Sequence, residues 1–284
     1  VRNPKYWAAD DDNNRPYFDR IIYSIITDDN ASFQLLMRGD LDARSLAPEE
    51  WVRRADTPKF KERFNRLTFN LPAYNYIGWN MRKPQFSDKQ VRKALAMLMD
   101  RESIRAKIYM GLATVISHGF MPGSPEYNEN LKPLPFDPVE AGKLLDNAGW
   151  KDNDGDGLRD KDGAPFRFDV STTNQNPMAE QVLTGYKEEL ARTGIELNIR
   201  PMEWASLLDQ VDKREFDAVL MAWHMEPDSD PYQLWHSSQA DKGSNYVGFI
   251  NPEADQLIEQ ARMCFDTDTR IKMYHRFAEI ITDE

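Results

Sequence analysis

The chain has 284 residues, enough for two lobes with cores of their own. Its formal net charge of -11 makes nucleic acid a poor partner, and no run nears the roughly 18 apolar residues that span a bilayer. A single cysteine, Cys264, excludes an internal disulfide; it falls in an apolar helical stretch and is expected to be buried and inert.

Residues 1–17 are polar and aromatic without periodicity. Residues 21–26 (IIYSII) are rich in β-branched side chains and predict a strand. Asn30 is placed to cap a helix over residues 31–38, with Gly39 as its left-handed stop. A short strand at residues 41–43 and a helix from Pro48 to Ala55 complete a βαβα order, hence an α/β first part.

Residues 67–79 form an aromatic extended run in which Pro72 argues for an edge strand or a crossing between lobes. Ser87 and Gln90 have capping-box spacing, and the helix they open carries Val91, Leu95 and Leu98 on one face. Asp100 and Asp137-Pro138 start two further helices, separated by a proline-rich loop over residues 117–135.

The most regular part follows. Phe166, Phe168 and Val170 alternate with polar residues, as in a strand. Asn176-Pro177 opens a helix that Gly194 stops. Ile195, Leu197 and Ile199 mark a second strand, residues 204–211 a second helix and residues 216–222 a third strand. Right-handed βαβ crossovers make this sheet mostly parallel, so its C-terminal strand ends gather on one edge. That edge carries residues 171–174 with Thr173, residues 202–204 and residues 223–226, and it is where an open α/β sheet binds ligands. Beyond it, residues 244–249 are extended, and two helices begin at Asn251-Pro252 and near Thr267.

Placed in this order, several motifs resemble the extracellular solute-binding proteins of family 5, the oligopeptide and dipeptide receptors of ABC importers. They are RNPKYW from Arg2, LLMRGDLD from Leu35, the block YIGWNMRKPQFSDKQVRKALAMLMDRESI from Tyr76, GWKDNDGDGLRDKDG, FDAVLMAW, DPYQLWHS and SNYVGFINPEADQLIEQA. The resemblance implies an α/β, two-lobed, periplasmic-binding-protein-like fold with mostly parallel βαβ units in the second lobe. By similarity, residues 76–245 form that ligand-binding lobe, and residues 1–75 and 246–284 belong to the first. The family also has a longer N-terminal part and final strands that this sequence lacks, so the chain is expected to be a fragment.

The resemblance implies capture of a peptide between lobes and delivery to an ABC permease, by a monomer in the periplasm or outside the cell, lipid-anchored in a longer precursor. Peptide-binding members hold the ligand's α-amino group with an Asp after the third strand. Glu226 stands nearest that position, with Asp228 and Asp230 as alternatives; Asp230 is also a natural helix cap before Pro231. Trp223, Trp204 and Tyr246 are candidate pocket walls, and plain core packing is their competing role. Ser244, Asn245 and Tyr246 match a segment that lines the cleft, where main-chain bonding matters more than side chains. Some dipeptide-selective relatives carry a basic residue, for the ligand carboxylate, in the loop after the first strand of the βαβ unit. Residues 172–176 have none, which points to longer or uncharged-ended ligands. The same family text allows a sugar or a metal chelate as cargo, and it argues against a glycosidase built on Glu203, Glu226 and Asp230.

Asp152, Asp154, Asp156 and Asp160 resemble a calcium loop, with Gly157 allowing the sharp turn. The twelfth position is Gly163 rather than Glu, so an acidic hairpin turn stands as the alternative. His118, His224, His236 and His275 lack metal-ligand spacing. No other cofactor is expected.

Overall fold

A computed structural model describes residues 3, 5–7, 17–174, 176–225 and 230–284. Backbone contacts divide the chain into two compact units, Val1–Arg66 and Leu67–Glu284.

The described part of the first unit is helical and irregular. Helix α1 (Asp29–Arg38) is capped by Asp28, whose carboxylate accepts from Ala31 N at 2.6 Å, so Asn30 lies inside the helix rather than at its cap. Gly39 closes it at φ +90°, as its residue type predicts. A π-helical turn (Glu50–Arg54) and the single-turn α2 (Pro58–Lys61) follow. Phe33, Leu36, Ala55 and Phe60 form the small core. The buried Glu50 carboxylate is held by Arg44 at 2.8 Å and Arg54 at 3.3 Å.

The two strands expected at residues 21–26 and 41–43 are not formed, and the βαβα order of this part is corrected accordingly. Ile22, Tyr23 and Ile25 are exposed. β-branched residues favour extended backbone, but a strand needs a neighbour to take its N–H and C=O groups. Among the described residues of this unit, no other strand supplies one.

The second unit is built on a four-stranded sheet. Strand β1 (Ala73–Trp79) lies at one edge. Helices α3 (Pro84–Ser87), α4 (Lys89–Met97), α5 (Arg101–Lys107) and α6 (Pro138–Asn147) follow, then a hairpin of β2 (Asp160–Lys161) and β3 (Ala164–Pro165). The βαβαβ unit comes next as β4 (Arg167–Thr173), α7 (Pro177–Arg192), β5 (Glu196–Met202), α8 (Trp204–Asp212) and β6 (Ala218–His224). The sheet order is β1-β6-β4-β5, with β4 parallel to both β5 and β6, and β1 antiparallel to β6. Helices α9 (Tyr232–Trp235), α10 (Pro252–Met263) and α11 (Thr267–Asp283) complete the unit.

Phe86, Leu95, Leu145, Phe166, Leu183 and Leu197 are fully or almost fully buried where α3, α4, α6 and α7 meet the sheet. A second cluster joins Phe120, Phe249, Ile258, Tyr274 and Phe277 beneath α10 and α11. Three local expectations shift. Asp88, not Ser87, caps α4 and accepts from Gln90 N at 2.8 Å, because Ser87 is the last residue of α3 and bonds back to Pro84 O. Helix α9 begins at Tyr232 rather than Pro231. Cys264 is partly exposed at the C-cap of α10, where the helix ends and its thiol donates to Asp266 O. No helix among the described residues is long and apolar enough to cross a membrane.

Candidate functional site

The antiparallel register of β1 on β6 pairs Tyr74 with Trp223 and Tyr76 with Met221. Side chains two apart on a strand share a face, so Tyr74, Tyr76 and Trp223 project to the same side of the sheet. Tyr76 and Trp223 stack with centroids 6.1 Å apart and planes 5° apart. Tyr246 stacks on Trp223 at 5.7 Å and 10°. The indole thus pairs with two near-parallel rings, so that β1, β6 and the loop before α10 each contribute one ring. Burial pushes the Tyr74 and Tyr76 hydroxyls well above the usual phenol range, so both stay neutral donors.

These rings border a cavity of about 270 Å³, whose wall also includes Trp79, Trp235 and Ser244. Its lining is mainly apolar, with Lys93 and Arg101 among the polar groups. Such a pocket holds a side chain or a small solute by area burial and orients it through few polar groups.

The structure brings together Trp223, Tyr246 and Ser244 from the predicted site residues. Ser244 Oγ accepts from Gln233 Nε2 at 3.3 Å. Asn245 lies beneath them, fully buried. Its Nδ2 donates to the carbonyls of Trp235, His236 and Phe249, and its Oδ1 accepts from Gly248 N and Phe249 N. This side chain therefore shapes the loop that carries Tyr246. Trp204 is 53% exposed at the first turn of α8 and is not part of the cavity wall. Thr173 ends β4, paired with Met202, and next to it Asn174 Nδ2 donates to Glu203 Oε1 at 2.8 Å.

Asp230 uses both carboxylate oxygens locally. One accepts from Tyr232 N at 2.9 Å and the other pairs with Arg262 at 2.9 Å. Glu226 and Asp228 lie outside the described residues. In the acidic loop, Asp152, Asp154 and Asp156 each offer an oxygen within 4.8 Å of the others. Backbone amides of residues 155–158 already donate to these three carboxylates. Asp160 turns to Asn153 and accepts from its backbone and side-chain nitrogens at 3.0 and 2.9 Å.

Sequence reasoning missed Tyr74, Tyr76, Trp79 and Trp235 as wall residues. The signal was present in the run AYNYIGW, where Tyr74 and Tyr76 alternate, but only the register on β6 shows that they face Trp223.

Residues 1–245 match the bacterial extracellular solute-binding proteins, family 5, middle region. The chain belongs to that family. It is 35% identical over 288 residues to the oligopeptide-binding protein AppA of Bacillus subtilis, covering 97% of this chain and 51% of AppA. It is 27% identical over 289 residues to a dipeptide-binding protein of Pseudomonas aeruginosa, covering 99% of this chain and 50% of that protein. The structure of Bacillus subtilis AppA in complex with a nonapeptide superposes with a TM-score of 0.81 at 34% identity, over 92% of this chain and 52% of that one. The chain therefore spans about half the length of these relatives.

Proposed function

We propose that this chain carries the ligand-binding lobe, and part of the other lobe, of the peptide-capturing solute-binding protein of an ABC importer, held outside the cytoplasmic membrane. The observation that carries the reading is the three-ring stack of Tyr76, Trp223 and Tyr246 bordering a cavity at the exit of β6. It occurs in a family member whose relative AppA was solved with a nonapeptide. The ligand is held without chemical change and delivered to a membrane permease. Of the three carboxylates from which a glycosidase would draw its pair, two are engaged in the fold, Glu203 with Asn174 and Asp230 with Tyr232 and Arg262. The ligand's ammonium then falls to Glu226 or Asp228, because a desolvated cation needs a carboxylate beside it.

Thermal unfolding against peptides of two to nine residues, sugars and metal chelates tests this. A ligand that binds only the native state raises Tm with concentration. The reading requires a rise with peptides that are recovered intact. A rise only with sugars or chelates overturns the peptide assignment, and turnover of any of them overturns the non-catalytic one.

A further inference from the structure

Two guanidinium groups converge on one acceptor. Arg82 follows β1, and Arg214 lies in the turn between α8 and β6. Arg82 Nη2 donates to Ala240 O at 2.7 Å, and Arg214 Nε donates to the same oxygen at 3.0 Å. Arg82 Nη1 reaches Tyr246 O at 3.1 Å, and Arg214 Nη2 reaches Gly243 O at 2.6 Å. The Arg214 guanidinium also lies over the Tyr246 ring, 5.0 Å from its centroid. The carbonyls of residues 240, 243 and 246 and one face of Tyr246 are thus gathered by two side chains.

The surrounding structure is arranged to keep them there. Asn80 is buried and ties both arginines: its Nδ2 donates to Arg214 O at 3.1 Å, and its Oδ1 accepts from Arg82 Nη1 at 3.3 Å. Arg214 holds φ +61°, a left-handed conformation uncommon for a side chain of its size. Gly248, at φ +77°, leaves room for Arg82; a Cβ there would stand 2.5 Å from Nη1. Burial and the neighbouring Arg214 both push the Arg82 guanidinium below its usual range, and Asp241 offsets only part of this. Bringing two like charges together out of water is unfavourable unless a specific geometry compensates. A rigid fork spanning several carbonyl oxygens is such a geometry, and a lysine ammonium cannot reproduce it.

We infer that Arg82 and Arg214 are positioning residues of the ligand site: they latch residues 240–246 so that Tyr246 lies flat on Trp223, and the wall so formed receives a bulky apolar ligand side chain. The ligand part of this inference rests on the peptide-binding reading, whereas the latch itself does not.

The test compares Arg82→Gln, Arg214→Gln, the double variant and Arg214→Lys with the wild-type chain and Tyr246→Ala. Near-ultraviolet circular dichroism without ligand reports the Trp223–Tyr246 coupling, and calorimetry measures affinity for a Leu- and Phe-containing nonapeptide. The double variant is expected to reproduce the spectral change of Tyr246→Ala and to bind the peptide at least tenfold more weakly. Arg214→Lys is expected to rescue neither. A double variant that keeps the wild-type aromatic spectrum and affinity, even with a lowered Tm, overturns the proposal. If the double variant does not fold, the single Arg82→Gln and Arg214→Gln variants are read the same way: wild-type aromatic spectrum and affinity in both overturns the proposal. A wild-type chain that binds no peptide, with the spectral change intact, overturns the peptide reading and leaves the latch standing.

Discussion

Trp223 stacks with both Tyr76 and Tyr246, its plane within 10° of each ring. Stacked aromatic pairs contribute roughly 0.5–1.5 kcal/mol beyond area burial. Tyr246 is the ring of the three carried by a loop rather than a strand, and its removal takes one stacking partner from the indole. Tyr246→Ala should weaken peptide binding about tenfold, which is ~1.4 kcal/mol, while Tyr246→Phe keeps wild-type affinity. Calorimetric titration of both variants checks this.

Asn245 makes no use of its side chain at the surface. Its amide satisfies five backbone groups of the loop around it. Asn245→Ala strands several buried donors and acceptors, each costing about 1–3 kcal/mol when left unsatisfied. Chemical denaturation should show a loss of about 3 kcal/mol. Asn245→Asp should also destabilise, because an ionised carboxylate cannot donate to the three carbonyls.

Asp230 accepts from Tyr232 N, two residues on, and pairs with Arg262, both half-exposed; with α9 starting at Tyr232, it is not the helix cap that its place before Pro231 suggests. Exposed pairs contribute about 0–1 kcal/mol. Asp230→Asn keeps the acceptor for Tyr232 N and removes the charge, so it should change stability by less than about 1 kcal/mol and leave peptide affinity within twofold. Glu226→Gln or Asp228→Asn, by contrast, should remove the ammonium partner and lower affinity at least tenfold. Equal behaviour of all three variants in calorimetry contradicts this division of roles.

His118 is a buried imidazole whose ring nitrogens face two backbone amides, Phe120 N at 3.4 Å and Asn128 N at 3.2 Å. These offer hydrogens only, so the charged ring has no acceptor there. Burial pushes its pKa down to about 4 from 6.5. The unfolded chain binds the proton first as pH falls, so His118 supports the fold fully above pH 6.5 and progressively less down to pH 4. Tm should fall across that window, and His118→Phe should flatten the fall. Asp283, pulled down to about 2 by Lys89 and Lys93, loses its contribution at lower pH, below its ordinary 3.8. The two effects therefore separate on the pH axis.

The βαβαβ unit was legible because each of its elements is locally consistent. Asn176 caps α7, Gly194 ends that segment at φ +79°, and Phe166, Phe168 and Val170 alternate into the core. Residues 21–26 misled because β-propensity states a preference and a strand needs a partner. The candidate site was half legible. Trp223 and Tyr246 stood out as aromatics at a strand exit and in an extended segment. Tyr76 and Trp79 did not, because their role depends on an antiparallel register between residues roughly 140 positions apart in sequence, as with Tyr76 and Met221. The arginine latch was beyond reach for the same reason, since the carbonyls it gathers carry no sequence signal.

The most direct test of the central claim is calorimetric titration of this chain and its Trp223→Ala variant with a nonapeptide containing Leu and Phe. The account predicts saturable one-to-one binding by the wild-type chain and at least a tenfold loss in the variant, which still folds but with a lower Tm because two ring contacts are lost. Equal affinity in the two proteins would contradict the placement of the peptide against the stacked rings.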